Sequence, residues 1–271
     1  MPNLPRSTLA LVTFLLTLVT LTVPLTAAPG PLVVVGGGGT PDEVVRRALE
    51  LAGGKDARVL ILPQASSRGD AGRSTAEMFR EAGAKRVDIA KLKPARAARE
   101  KILAADLLWM SGGSQRRLME ALREARLIDA VREAHANGAV VGGTSAGAAV
   151  LSARMITGEA DLEGVGRGRT ELEDGLGLWP GVIVDQHFLK RRRNNRLLAA
   201  VLDHPGDLGV GIDERTAVIV RGDRFEVAGT GGVLVYDARQ AEIEDGEAGD
   251  PHAARGVRLH LLRPGETFET N

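Results

Sequence analysis

The sequence predicts an α/β fold, a three-layer sandwich in which helices cover both faces of a mostly parallel sheet. Short apolar runs typical of buried strands, among them Leu32–Val35, Arg58–Leu62 and Asp106–Met110, alternate along the chain with helical segments. These runs are almost continuously apolar, which indicates strands that are buried on both faces. Strands that alternate with helices favour a parallel sheet, because each crossover helix packs against the sheet that its strands form.

Glycine and proline residues mark the ends of the predicted elements, since both interrupt regular structure. Gly53, Pro63, Gly83 and Gly138 each lie just beyond a predicted element. The elements expected in the first half of the chain are strand 32–35, helix 42–52, strand 58–62, helix 74–82, strand 87–89, helix 95–104, strand 106–110, helix 118–136 and strand 139–141.

The second half of the chain is expected to complete the same sheet. Residues 158–179 are rich in Gly and Glu with weak periodicity, which indicates a surface excursion. The strands predicted beyond it are 182–184, 208–212, 217–220, 224–228 and 233–236. The last three are short and separated by turns, which favours extra antiparallel strands at the C-terminal end. Residues 240–256 are polar, and we expect them to form a loose surface segment.

The segment Gly143–Gly147 fits the G-x-S-x-G pattern of a nucleophile elbow. It follows a buried-type strand and precedes small, helix-compatible residues, so Ser145 would sit at the apex of a tight strand-to-helix turn. The N–H of Ala146, at the start of that helix, could then donate to an oxyanion. The alternative is an ordinary Gly-rich turn in which the serine caps a helix.

Composition excludes several classes of function. The chain is 44% hydrophobic and 26% charged, which is ordinary for a globular protein. Zero net charge and 3% aromatic residues argue against nucleic acid as a partner. The sequence has no cysteine, which excludes disulfides, thiolate metal sites and a cysteine nucleophile. We expect no metal and no other cofactor.

The first 28 residues resemble a secretory signal peptide. Arg6 precedes an apolar run of 15 residues, Leu9–Val23, which Pro24 ends and small residues follow. Cleavage would leave a single domain, residues 29–271, that is secreted or periplasmic and does not bind membranes. The alternative is an uncleaved anchor, although the run is shorter than the roughly 20 residues that span a bilayer.

Two glycine-rich loops follow predicted strands. Gly36–Gly39 suggests a dinucleotide site, but Pro41 stands where the third glycine of that motif belongs, so we interpret the run as a turn near the active-site edge. Gly112 and Gly113 follow the strand that ends at Met110, where glycine lets a ligand approach the backbone. The N–H of Gly113 is therefore a candidate second oxyanion donor, the alternative being a simple loop before a helix.

One of the five histidines stands where catalytic groups collect. His187 directly follows the buried-type strand 182–184 and its Asp-Gln continuation, whereas the other histidines lie in helix ends, turns or the C-terminal region. A serine hydrolase needs such a base and an acid that orients it. Asp185, Asp213 and Glu214 are all candidates for that acid, and the residues alone do not choose among them.

The segment Lys190–Arg196 carries five positive charges in seven residues. Such a run usually forms a solvated face. Beside a candidate catalytic histidine, its arginines could instead bind carboxylates through paired hydrogen bonds.

Six motifs, spread from Leu32 to about Tyr236, resemble the serine peptidases that include cyanophycinase and aspartyl dipeptidase. They are the Gly36–Gly39 turn, Ala52–Gly54 with Leu62–Ser66, Gly112–Gln115, Gly143–Ala148, Asp185–Phe188 and Gly211–Glu214. The resemblance implies a fold like that of class-I glutamine amidotransferases. It also implies a triad of Ser145 as nucleophile, His187 as base and Glu214 as acid.

Within that family the arginine spacing favours cyanophycinase, which carries Arg four, six and nine positions after the histidine. The residues that the resemblance assigns to substrate binding are Gln115, Asp185, Gln186, Arg191, Arg193 and Arg196. The implied function is that of a secreted serine exopeptidase that hydrolyses the aspartate backbone of cyanophycin, multi-L-arginyl-poly-L-aspartate, to β-Asp-Arg dipeptides. Its partner would be an acidic or β-aspartyl peptide or polymer, and the resemblance also implies a homodimer.

Other functions stay open at this stage. Export is also compatible with another acidic or isoaspartyl peptide as substrate, as for an aspartyl dipeptidase of the same family. A binding protein could keep the fold without turnover, although the intact triad residues argue against it. An α/β-hydrolase esterase would place its acid between the serine and the histidine, an order that would need His252 or His260 as the base.

Overall fold

The structure is a computed structural model that describes residues 28–157 and 164–271. The predicted leader therefore lies outside the described residues, apart from Ala28. The described strands are β1 Leu32–Val35, β2 Arg58–Leu62, β3 Arg86–Ile89, β4 Leu107–Met110, β5 Val140–Thr144, β6 Arg154–Ile156, β7 Leu172–Asp174, β8 Val182–Gln186, β9 Leu208–Ile212, β10 Thr216–Arg221, β11 Arg224–Gly229, β12 Val233–Asp237, β13 Glu242–Ile243, β14 Ala254–Arg255, β15 Arg258–Leu262 and β16 Thr267–Glu269.

The described α-helices are α1 Asp42–Leu51, α2 Ala71–Glu81, α3 Ala95–Ala104, α4 Gln115–Glu124, α5 Ile128–Ala136, α6 Ala146–Ala149 and α7 Asn194–Asp203. A single 3₁₀ turn, Gly54–Asp56, separates α1 from β2. None of the helices in these two described stretches is both long enough and apolar enough to cross a membrane.

The main sheet has eight strands in the order β16-β11-β10-β1-β5-β4-β2-β3. Strands β1, β5, β4, β2 and β3 are mutually parallel, and β10, β11 and β16 continue the sheet antiparallel beyond β1. This arrangement confirms the predicted α/β class with its mostly parallel sheet and its added C-terminal strands. Parallel pairing brings the carboxyl ends of β1 and β5 together, since Val35 pairs with Thr144.

Both faces of this sheet are buried, as the continuous apolar runs predict. On β1, Val33 and Val35 pack against α1 and α2, whereas Leu32 and Val34 belong to the core on the opposite face. Burying one such side chain fully stabilises the fold by about 1.5–3 kcal/mol. The central strands are thereby fixed in register, and the loops at their carboxyl ends are free to carry function.

A second, four-stranded sheet in the order β15-β12-β9-β8 was not foreseen, because the strands at 182–184, 208–212 and 233–236 were expected to extend the first. Strand β8 runs parallel to β9, with Gln186 opposite Ile212, and β12 and β15 are antiparallel additions. One face of this sheet packs on the main core and the other on α7. The register places the residues that follow β8 and β9 side by side.

The predicted helix 118–136 is wrong in one respect: it is two helices, α4 and α5. Arg126 takes a left-handed conformation with φ of 55°, and Leu127 then donates its N–H to the carbonyl of Leu122. Glycine usually occupies such a position, so the sequence gives no sign of the break. Leu127 is buried, which indicates that packing fixes the turn there.

The segment 240–256, expected to be loose, is mostly exposed but contains the short pairing of β13 with β14. Gly166 bridges to Pro251, so this segment lies against the chain that follows the 158–163 gap.

Candidate active site

Ser145 lies at the apex of the predicted elbow between β5 and α6. Its backbone has φ of 54° and ψ of −113°, a strained conformation for any residue but glycine. The turn is held by the Ser145 N–H, which donates to the carbonyl of Val35 at 2.9 Å. A Cβ at Gly143 would lie 2.4 Å from the Gly147 carbonyl oxygen, so the small residues of the motif are a steric requirement.

His187 meets Ser145 from the second sheet. It directly follows β8, and its Nε2 lies 3.0 Å from Ser145 Oγ. Its own φ is 50°, and its N–H donates to the carbonyl of Gly36 at 2.7 Å. His187 is therefore positioned by the glycine turn after β1 as well as by its own strand.

Among the three candidate acids, it is Glu214 that contacts the histidine. Its Oε1 lies 2.7 Å from His187 Nδ1, and it follows β9 as His187 follows β8. Asp213 instead accepts from the backbone N–H of Lys190 at 3.0 Å. Asp185 has no exposed surface and pairs with Arg196. Ser145, His187 and Glu214 thus form a continuous hydrogen-bonded chain, which the carboxyl ends of β5, β8 and β9 bring together.

The electrostatics suit a histidine that accepts a proton. Burial lowers the pKa of His187 by disfavouring the imidazolium; the hydrogen bond to Glu214 opposes this effect, and the nearby Arg191 charge adds to it. The hydrogen bond with His187 lowers the pKa of Glu214. At neutral pH Glu214 is therefore a carboxylate and His187 is mostly neutral, able to take the Ser145 proton.

The glycine turn Gly36–Gly39 forms the wall behind this chain of side chains. A Cβ at Gly37 would lie 2.4 Å from His187 Cε1 and Nε2, and one at Gly38 would lie 2.6 Å from Glu214 Cβ. Both glycines also have positive φ, 102° and 66°. The sequence predicts a turn near the active-site edge but no role for it, because its close approach to His187 and Glu214 is not visible in the glycine spacing.

The two predicted oxyanion residues both lie near Ser145. Ala146 is the first residue of α6, and Gly113 lines the pocket in front of the serine. Gly113 has φ of 143°, and a Cβ there would lie 2.2 Å from the carbonyl oxygen of Ala65. Only glycine therefore fits this loop, which brings its backbone close to the site.

A pocket of about 460 Å³ opens onto Ser145. Its lining includes five of the six residues predicted to bind substrate, and Asp185 is the exception. The residues that line it are Gly113, Ser114, Gln115, Arg116, Ser145, Thr157, Gln186, Arg191, Arg193 and Arg196. Arginines give it a strongly cationic character, which suits a ligand that carries carboxylates.

The three predicted arginines differ in their surroundings. Arg191 is exposed, the Arg193 side chain is 11% exposed, and the Arg196 side chain is 2% exposed. Burial is the main cause that lowers the pKa of Arg193 to about 10. The positive charge of Arg196 adds to this effect, and the negative charge of Asp185 opposes it. Arg191 and Arg193 can therefore meet a ligand, whereas the guanidinium of Arg196 is already bound to Asp185.

Comparison with known proteins identifies the family. Residues 32–228 match the model of peptidase family S51.

The chain belongs to peptidase family S51.

Two relatives of this S51 peptidase are cyanophycinases. The one from Synechococcus elongatus is 36% identical over 247 residues, which cover 85% of this chain and 77% of the relative. The one from Geminocystis herdmanii is 35% identical over 237 residues, which cover 83% and 87% respectively. The resemblance inferred from the six motifs is thereby confirmed, and the protein is a serine-type peptidase, a hydrolase.

Solved structures agree on the fold. A peptidase from an acI-B1 actinobacterium matches the S51 peptidase with a TM-score of 0.66 at 25% identity, covering 89% of this chain and 97% of that one. A peptidase E protein from Listeria monocytogenes matches at a TM-score of 0.57 and 16% identity, covering 74% and 99%, which shows likeness of fold alone.

Some pocket residues of this S51 peptidase were not predicted. Arg116 follows the predicted Gln115 and pairs with Glu171 and Glu173 at 2.8 and 2.7 Å, while Thr157 precedes the gap at 158–163. Neither lies in a recognisable motif. Within residues 28–157 and 164–271, no group of three or more histidine or acidic side chains is placed to hold a metal ion.

Proposed function

We propose that the chain is a cyanophycinase that cleaves multi-L-arginyl-poly-L-aspartate with a Ser145-His187-Glu214 triad. The observation that carries this proposal is the hydrogen-bonded chain from Ser145 Oγ through His187 to Glu214, at 3.0 and 2.7 Å, beside an arginine-lined pocket. The similarity to cyanophycinases over more than four fifths of the chain supports the substrate class.

In the first half of the reaction, Ser145 Oγ attacks the carbonyl carbon of the scissile amide while its proton passes to His187 Nε2. Glu214, which accepts from His187 Nδ1, stabilises the imidazolium that forms. The N–H groups of Gly113 and Ala146 are the proposed donors to the oxyanion. Collapse of the tetrahedral intermediate breaks the C–N bond, and the His187 proton goes to the leaving nitrogen, which departs as an amine.

In the second half, water attacks the acyl ester on Ser145 and gives a proton to His187. The C–O bond to Ser145 then breaks, and that proton returns to Ser145 Oγ. The products are a free carboxylate and the regenerated enzyme, so no cofactor is consumed. For a cyanophycin chain cut at each backbone amide, the released unit is the β-Asp-Arg dipeptide.

The pocket charge supports a substrate with free carboxylates. Each arginyl branch of cyanophycin keeps its α-carboxylate, and Arg191 and Arg193 line the pocket in front of Ser145. Guanidinium groups donate two parallel hydrogen bonds to the two oxygens of a carboxylate. A neutral ester has no such pair of charged acceptor oxygens. The leader-like residues 1–28 support action outside the cytoplasm.

The test is incubation of the purified protein with insoluble cyanophycin, with the soluble products identified by mass spectrometry. We expect β-Asp-Arg dipeptides to accumulate, and we expect the Ser145→Ala variant, which fits the elbow sterically, to fold and release none. Cleavage of aspartyl dipeptides without release from the polymer would favour an aspartyl dipeptidase. A folded wild-type protein that hydrolyses neither, and that a fluorophosphonate does not label, would favour a binding protein.

A further inference from the structure

The end of strand β8 sends two adjacent side chains in opposite directions. Side chains alternate between the two faces of a strand, so Asp185 lies on the same face as Ile183, which packs against α7. Gln186 lies on the opposite face with Val184, which packs on the main core. Gln186 accordingly reaches the elbow, where its Oε1 can accept from Ser145 Oγ at 3.4 Å, a longer contact for this hydroxyl than the 3.0 Å to His187 Nε2. Asp185 reaches Arg196 of α7 instead.

Asp185 and Arg196 form a buried, two-pronged ion pair. Arg196 Nε and Nη2 donate to the two carboxylate oxygens at 2.7 and 2.5 Å, and the side chains are 2% and 0% exposed. The Asp185 carboxylate therefore has no surface with which to meet a substrate. A pair of this kind is costly to break, since loss of one partner leaves a buried charge without compensation.

Arg193 links this pair to the nucleophile. Its Nη1 lies 3.6 Å from Asp185 Oδ1 and donates to Gln186 twice, to the backbone oxygen at 2.6 Å and to Oε1 at 3.0 Å. The donation to Oε1 selects the orientation of the Gln186 amide, because an NH₂ group in the same place could not accept it. The amide oxygen is then the atom that faces Ser145.

We propose that Asp185 and Arg196 are positioning residues that hold Arg193, and through it the amide of Gln186, against Ser145. Asp185 lies outside the pocket, and Arg196, although it lines the pocket, acts by holding Arg193 rather than by binding substrate. The proposal rests on the proposed role of Ser145 as nucleophile. An NH₂ group facing Ser145 would donate to Oγ and engage the lone pair that attacks the carbonyl, whereas an amide oxygen leaves that lone pair available.

The charges explain why both members of the pair are needed. Without Arg196, the buried Asp185 carboxylate would draw Arg193 away from Gln186, because compensation of a buried charge outweighs hydrogen bonds to neutral groups. Without Asp185, the Arg193 and Arg196 guanidinium groups would repel each other with no carboxylate between them. Either loss releases the Gln186 amide to rotate.

The experiment measures the second-order rate of labelling by a small, neutral fluorophosphonate. This probe reports the reactivity of Ser145 and carries no carboxylate, so loss of a substrate contact leaves its rate unchanged. We expect Arg196→Gln and Asp185→Asn each to slow labelling at least tenfold. Arg192→Gln is the matched control: Arg192 is exposed, lies in the same segment and is not among the pocket residues, so we expect a rate within twofold of wild type.

A second comparison tests the route through Gln186. In a Gln186→Leu background there is no amide to orient, so adding Arg196→Gln should change the labelling rate by less than twofold, a non-additive result. A role confined to fold stability would instead lower the melting temperature and leave the labelling rate of the folded protein unchanged. If Arg196→Gln slows labelling equally in the wild-type and Gln186→Leu backgrounds, the pair does not act through Gln186 and the proposal is overturned.

The outcomes separate this proposal from the proposed function. A wild-type protein that does not label overturns the nucleophile and the positioning role together. A labelled wild type with Arg196→Gln within twofold of it, yet impaired on cyanophycin, overturns positioning alone and makes Arg196 a substrate contact. If Arg196→Gln does not fold, the labelling rates of Arg196→Lys and Asp185→Asn should each be at least tenfold slower than wild type. If none of the three variants folds, the proposal is overturned and the pair is purely structural.

Discussion

Replacement of Gly37 by alanine should disable the site while leaving most of the fold intact. The new Cβ would lie 2.4 Å from His187 Cε1 and Nε2, whereas ordinary contact begins at 3.4 Å. The imidazole would have to retreat by about 1 Å, a displacement that can lower turnover on the order of 100-fold. It cannot retreat freely, because Glu214 and Ser145 bind its two nitrogens at 2.7 and 3.0 Å.

The matched control is Gly39→Ala. Gly37 and Gly39 have nearly the same φ, 102° and 97°, so alanine carries a conformational cost of about 1–3 kcal/mol at either position. A Cβ at Gly39 has nothing within 4 Å, so that variant measures backbone strain without the steric clash.

The assay compares both variants by fluorophosphonate labelling and thermal unfolding. We expect similar melting temperatures for the two variants, near-wild-type labelling for Gly39→Ala, and labelling slowed on the order of 100-fold for Gly37→Ala. Equal labelling rates would show that the turn does not constrain His187 and would refute the steric argument.

Four further predictions concern the pH profile, the acid Glu214, the exposed Arg191 and the N-terminus of the mature chain. With His187 as the proposed base, turnover needs a neutral imidazole. Burial lowers the pKa of His187, so the acidic limb of the pH–rate profile should have its midpoint below 6.5, the ordinary histidine value. A midpoint above 6.5 in the wild type would contradict the assignment of His187 as the base. Glu214→Gln removes a group that raises the pKa of His187, so in that variant the midpoint should fall further and the rate should drop by several orders of magnitude. Arg191 is exposed, so Arg191→Gln should lower efficiency on a carboxylate-bearing substrate by only about 1.4- to 5-fold and less at high salt, with a neutral ester unaffected; equal effects on both substrates would exclude a carboxylate contact. We also predict that the leader-like segment directs export and is cleaved, so the mature chain should begin near residues 28–29; N-terminal sequencing would test this, and retention of the apolar run in a membrane fraction would indicate an anchor instead.

Much of the fold follows from local sequence. The central strands could be predicted because they are short apolar runs with glycine or proline at or close to their ends, and α3 has the predicted bounds 95–104. The break between α4 and α5 could not be predicted, because Arg126 adopts a conformation that sequence associates with glycine. The second sheet was also missed, since a strand of a given apolar pattern can join either of two sheets.

The candidate site residues also differ in how far the sequence alone could identify them. Ser145 and His187 were found because each follows a buried-type strand in a distinctive local pattern. Glu214 could be preferred to Asp185 and Asp213 only by family resemblance. Contact distances separate these three acids, and those distances depend on the pairing of β8 with β9.

The sequence by itself determined the α/β class, the elbow serine and the peptidase family, because these are written in short-range periodicity, in glycine spacing and in ordered motifs. Only the tertiary structure decided which groups touch. It placed Glu214 against His187, brought Gly37 and Gly38 close to the same two residues, and paired the guanidinium of the pocket-lining Arg196 with the buried Asp185. The physical reason is that these contacts join residues from two different sheets. Their geometry is fixed by strand register and core packing, and no local stretch of sequence encodes it.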